Sequence, residues 1–165
     1  MKLPMKDLLD KLSSYNLFNY LFPGIIFVIL AKELCNHSFV QKDIVLGIFL
    51  YYFIGLVISR FGSLVIEPIL QYTSFLHFSE YKDFVAASKK DDKIELLSEV
   101  NNTYRTLCSL FILLGILRIY KSIENKYEGL RDWNAFILIS LLFIVLLFSF
   151  RKQTNYITKR IKANE

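Results

Sequence analysis

Arg60, Ser63 and Glu67 interrupt an otherwise apolar segment at intervals of three and four residues, which on a helix sets them on nearly one face. An ionisable group at membrane depth marks a function by default, here a polar ring lining a pore or a sensing site. The competing reading is an interfacial anchor or a structural Arg60–Glu67 pair, because Arg60 lies within snorkelling distance of the headgroups. Asn19 interrupts a second apolar segment and suits interhelical hydrogen bonding. On a helix, His77, Glu80 and Asp83 could touch a metal, and a lipid-modifying or intramembrane hydrolytic activity would be built around them. Other catalytic patterns are not seen. The two histidines, His37 and His77, fall on opposite sides of the topology derived below, so no Ser–His pair assembles. The six glycines are scattered and cradle no phosphate. Cys35 and Cys108 are too few for a disulfide framework or a four-cysteine metal site and read as packing residues. Neither enzymatic activity nor a cofactor is expected.

The elements that must position these residues are apolar helices. The chain has 165 residues, 54% of them hydrophobic, and a mean hydropathy of +0.39, more apolar surface than a soluble domain of this size can bury. Crossing ~30 Å of hydrocarbon takes about 20 apolar residues at 1.5 Å each. Four segments meet or approach that length, giving spans at about 16–34, 44–66, 102–120 and 133–150. The fold class expected is all-α, an integral membrane four-helix bundle. The first span carries Pro23-Gly24, which predicts a kink near Pro23. It starts too late, and lacks the small-residue site, for a cleaved signal peptide.

Charge sets the orientation. With four crossings, the side holding both termini carries 14 of the 20 Lys and Arg residues, so the positive-inside rule predicts cytoplasmic amino and carboxyl termini. Trp133, Tyr127, Tyr120 and Tyr20 fall near the predicted interfaces. The net charge of +5 is spread over several loops, so no direct nucleic-acid binding is expected. The basic tail 151–165, with Arg151, Lys152, Lys159, Arg160 and Lys162, suits anionic headgroups of the lipid bilayer at about 1 kcal/mol per residue.

Outside the spans, residues 3–15 read as an amphipathic surface helix, with Leu8, Leu9, Leu12 and Tyr15 opposite Lys6, Asp7, Asp10 and Lys11. A cytoplasmic helical hairpin is expected over 71–101, divided by the mixed-charge turn Ala86–Lys93, its second helix running through Asn101 and Asn102 into the third span. Tyr72, Phe75, Phe78, Tyr81 and Phe84 recur every third residue, a helical stripe that covers a core, lies on a membrane or receives a cytoplasmic partner. Gly55, Ser59 and Ser63, with Gly62, make a small-residue strip that lets two helix backbones approach, in the same chain or in another copy.

This layout of four spans, both termini inside, a short helical hairpin and no active-site motif resembles the membrane subunits of bacterial anti-phage systems, of the Kiwa membrane-subunit and Rex-type exclusion kinds. The resemblance implies a homo-oligomer of the bacterial inner membrane that senses phage-caused perturbation or permeabilises the membrane, with a cytoplasmic effector protein as partner. The function expected is therefore an oligomeric sensor or pore-forming component. The alternatives are a structural or assembly subunit of a larger membrane complex, and the lipid-modifying enzyme above.

Overall fold

A computed structural model describes residues 16–35, 38–127 and 129–164, and among them every regular element is helical. The expected amphipathic helix over 3–15 lies outside the described residues. Four helices are long and apolar enough to cross a membrane: α1 (Leu17–Cys35), α2 (Ile44–Tyr72), α4 (Lys93–Lys126) and α5 (Leu130–Lys162). A short α3 (Tyr81–Ser88) lies between α2 and α4 in the chain.

Local chemistry sets the helix boundaries. Asp43 begins α2 as its N-cap, its carboxylate accepting the Leu46 N–H at 2.9 Å. The same helix ends where Ser74 turns left-handed at φ 57° and the Phe75 N–H returns to the Leu70 carbonyl at 3.0 Å. That stop divides the aromatic stripe. Tyr72 closes α2, Phe75 and Phe78 lie in the connection, and Tyr81 and Phe84 lie on α3, so the five residues do not share the one helix that their spacing suggested.

Prolines shape both α1 and α2. Each helix contains a π-helical stretch, Leu17–Leu21 and Gly62–Ile66, that ends two residues before a proline, Pro23 and Pro68. Proline has no N–H to give, and its ring displaces the carbonyl four residues earlier, Asn19 or Leu64, which lies inside the wide turn in each case. The disturbance expected at Pro23 is therefore a widened turn, repeated at Pro68.

α1, α2 and α4 pack on one another around Ala31, Ile58, Leu110 and Leu114. α1 and α2 meet backbone to backbone. A Cβ on Gly55 would fall 1.7 Å from the Tyr20 carbonyl oxygen, and one on Gly24 would fall 1.8 Å from that of Tyr51. The bundle is not four equal members, because α5 lies outside this core, chiefly against α2, and buries none of its residues. Its phenylalanines and most of its leucines are exposed along its apolar length. Of the cysteines, Cys35 is buried in α1 as a packing residue should be, whereas Cys108 is exposed on α4.

Replacing Gly55 by alanine should lower the stability of the detergent-solubilised protein by about 2 kcal/mol or more, since two backbones must part to admit one methyl group. Gly115→Ala has open space around its Cβ and should be neutral or stabilising by up to ~1 kcal/mol. Thermal unfolding of the two variants side by side measures the difference, and equal melting temperatures would refute the close approach.

Candidate functional site

The polar residues of the helices gather in three layers. The most fully buried joins α1, α2 and α4. Asn19 is completely buried; its Nδ2 donates to Ser59 Oγ at 3.4 Å, and its Oδ1 lies 2.8 Å from the Thr106 hydroxyl. Thr106 is also 2.8 Å from its own helix's Asn102 carbonyl, so one proton serves two acceptors. A full turn of regular helix satisfies its own backbone and leaves side-chain groups needing partners, and here three helices supply them to one another.

The second layer centres on Glu67, one residue before Pro68. Arg105 of α4 donates to Oε2 at 2.5 Å, and the Lys152 ammonium of α5 lies 3.1 Å from Oε1. Lys152 also donates to the Ser63 carbonyl at 2.6 Å. Proline explains that last bond. In an ordinary α-helix the Ser63 carbonyl would accept the Glu67 N–H, but in the wide turn that N–H goes to Gly62, and the next residue has none to offer. A carbonyl stripped of its partner thus becomes the seat of a cation from another helix. The carboxylate is 13% exposed, enough shielding to strengthen both ion pairs beyond the usual surface value.

The third layer stands at the opposite end of α4 and α5. Glu124, nearly buried, accepts from Lys121 and, at 2.5 Å, from Asn134 Nδ2, while the Tyr120 hydroxyl donates to Asn134 Oδ1. Arg118 beside it donates to the Leu34 carbonyl at 3.0 Å, satisfying the last turn of α1.

Several residues singled out by spacing take different partners. Glu67 pairs with Arg105 and Lys152 instead of Arg60. Five π-helical residues between Arg60 and Glu67 turn the helix by roughly a quarter turn less than an α-helix would, so the two leave their shared face. Arg60 has no ion pair among the described residues. The small strip packs within this chain: Gly55 on Tyr20 of α1, Gly62 on Ser109 and Arg105 of α4, with Ser59 and Ser63 buried between. In the connection, Tyr72 and Phe75 are 91% and 75% exposed and Phe78 is exposed as well, whereas Tyr81 packs on Phe84 and on Tyr156 of α5, with ring centroids 6.3 and 6.1 Å apart. His77 and Glu80 lie in the connection and Asp83 on α3, and among the described residues no three His, Cys, Asp or Glu side chains form a metal-binding group.

Spacing alone did not point to Arg105, Thr106, Ser109, Lys152, Glu124 or Asn134. Arg105 and Lys152 could have been suspected, since each sits at the edge of an apolar run as Glu67 does; which carboxylate they meet depends on how the helices pack. Just beyond this layer, burial first and the Glu67 charge second push the Tyr156 phenol above its ordinary value, so it remains a neutral hydroxyl.

No protein-family model, curated protein or solved structure matches the chain.

Glu67→Gln should lower stability by about 1–3 kcal/mol, because two shielded cations lose their counter-charge, whereas Arg60→Gln should change it by less than ~0.5 kcal/mol. Unfolding in detergent is the measurement, and the reverse ranking would restore the Arg60–Glu67 pair. For the most fully buried layer, an Asn19→Leu and Thr106→Val double-mutant cycle should give a coupling of about 0.6–1.7 kcal/mol, the range found for hydrogen bonds between membrane helices. A coupling of zero would mean that the two side chains do not depend on each other.

Proposed function

We propose that this chain is a four-span protein of the bacterial inner membrane, with both termini cytoplasmic, that self-associates and relays the state of the bilayer to a cytoplasmic effector protein, in phage defence. One observation carries the membrane placement. The Glu67–Arg105–Lys152 layer and the Glu124–Asn134 layer are separated by about 29 Å along α4 and about 27 Å along α5 at 1.5 Å per residue. The hydrocarbon core is ~30 Å thick, so both charged layers fall at its edges and the apolar surface of α5 falls inside it. Trp133, Tyr127 and Tyr120 cluster at the Glu124 edge, where amphipathic rings are favoured.

A sensing role is favoured over a pore within one chain. The buried polar side chains Asn19, Ser59 and Thr106 turn inward and satisfy one another, which leaves them unavailable to line a channel. α2, α4 and α5 all continue past the Glu67 layer, and α3 is packed against both α4 and α5. Movement of one span against another would therefore reach α3 through continuous helix, and the exposed Tyr72, Phe75 and Phe78 lie on the same side for a partner to meet. The defence setting rests on the likeness of layout to anti-phage membrane subunits.

Single cysteines placed at Asn125 and Lys159 in a background without Cys35 and Cys108 test the topology. In intact spheroplasts an impermeant maleimide should label the first and spare the second; labelling of both, or the reverse pattern, would overturn it. Native mass spectrometry of the full chain in mild detergent should show more than one copy, and a strict monomer would remove the self-association.

A further inference from the structure

We infer that the groove running from Lys152 to Lys159 on α5 binds the phosphate of an anionic phospholipid headgroup. This inference rests on the membrane placement proposed above. The groove is open, about 370 Å³ in volume, and lined by Lys152, Asn155, Tyr156, Thr158 and Lys159. None of these side chains is a carboxylate; Lys159, Asn155 and Tyr156 offer donors, while Thr158 gives its proton to the Thr154 carbonyl and Lys152 is shared with Ser63 and Glu67. A neutral Tyr156 hydroxyl keeps its proton to give.

Charge at this place is out of balance. Lys152 and Lys159 line it, and Arg60 and Arg105 are near enough for their charges to act on Tyr156. Glu67 is the carboxylate set against them, and it is already held by Arg105 and Lys152. Arg60 and Lys159 have no ion pair among the described residues. A phosphate diester would supply the missing negative charge and accept several donors at once.

Depth argues for a lipid as its source. Lys152 belongs to the charged layer at the hydrocarbon edge, and Asn155 to Lys159 continue about 5–10 Å beyond it along the helix. The headgroup region on each side of the core is about 5–8 Å thick, so the groove lies at the level of the phosphates. A soluble phosphate compound would be recognised by the same donors but would gain nothing from that level.

The test is the binding of fluorescent phosphatidylglycerol to the full chain in uncharged detergent. Arg60→Gln with Lys159→Gln should weaken binding about fivefold for each charge removed, while Lys126→Gln with Arg131→Gln, which removes the same charge at the opposite end, should leave it unchanged. Fluorescent phosphatidylcholine should bind more weakly than phosphatidylglycerol, and millimolar inorganic phosphate should not displace the lipid. Equal loss in both double variants would reduce the effect to general attraction, and equal binding of the two lipids would show that charge is not read; either overturns the inference. Displacement by inorganic phosphate would overturn the lipid source. Should the first pair of changes prevent folding, Lys159→Gln alone, on an exposed side chain, must show the fivefold loss. A chain that labels as a membrane-spanning protein yet ignores lipid charge would refute this site and leave the placement standing, whereas a chain that fails the labelling test loses both.

Discussion

The backbone N–H that Pro68 lacks determines how one end of this bundle is built. Its absence opens a π-helical turn and leaves the Ser63 carbonyl without its helical donor. An unsatisfied carbonyl in a low-dielectric setting costs far more than one in water, so a donor must come from elsewhere. Lys152 comes from α5, and Glu67, the residue adjoining the proline, holds it there together with Arg105. α2, α4 and α5 are thus tied at one level by a defect in the helix, much more firmly than α5 could be tied by its apolar side chains.

Close packing does the complementary work near the middle of α2. Where glycine faces a backbone, α1 and α2 approach until no methyl group fits, and the core that results needs few bulky side chains. Lipid tails are as apolar as leucine, so helix association in a bilayer gains little from hydrophobicity and depends on contact and hydrogen bonding. α1, α2 and α4 have both. α5 touches chiefly α2 and buries none of its residues, so it stays at the periphery, bonded through Lys152 near one end and Asn134 near the other. The sensing role proposed for the chain draws on this exposed helix, bonded to the bundle near each end.

Much of the architecture was legible because membrane helices must satisfy their own backbones and must be long. Residues 44–66 and 133–150 declare their helices by length and composition, and 102–120 does so once its polar approach from Lys93 is included. The aromatic stripe has no common helical face, because a period of three residues is helical only while the backbone stays helical, and Ser74 ends it. Arg60 and Glu67 lose their common face in a related way. Seven residues separate them, two regular turns, but a widened turn between them spoils the register that the spacing assumed.

What the sequence determined by itself is which segments are apolar helices and which side chains would be costly to bury, because both follow from composition and period. The partners of those side chains were decided by tertiary structure. Glu67 meets Arg105 across 38 positions and Lys152 across 85, and Asn19 meets Thr106 across 87. No local rule connects such distant residues. They come together because glycines allow α1 and α2 to close, because α4 fills the remaining side, and because a proline turns one carbonyl toward a helix that would otherwise have little to hold it.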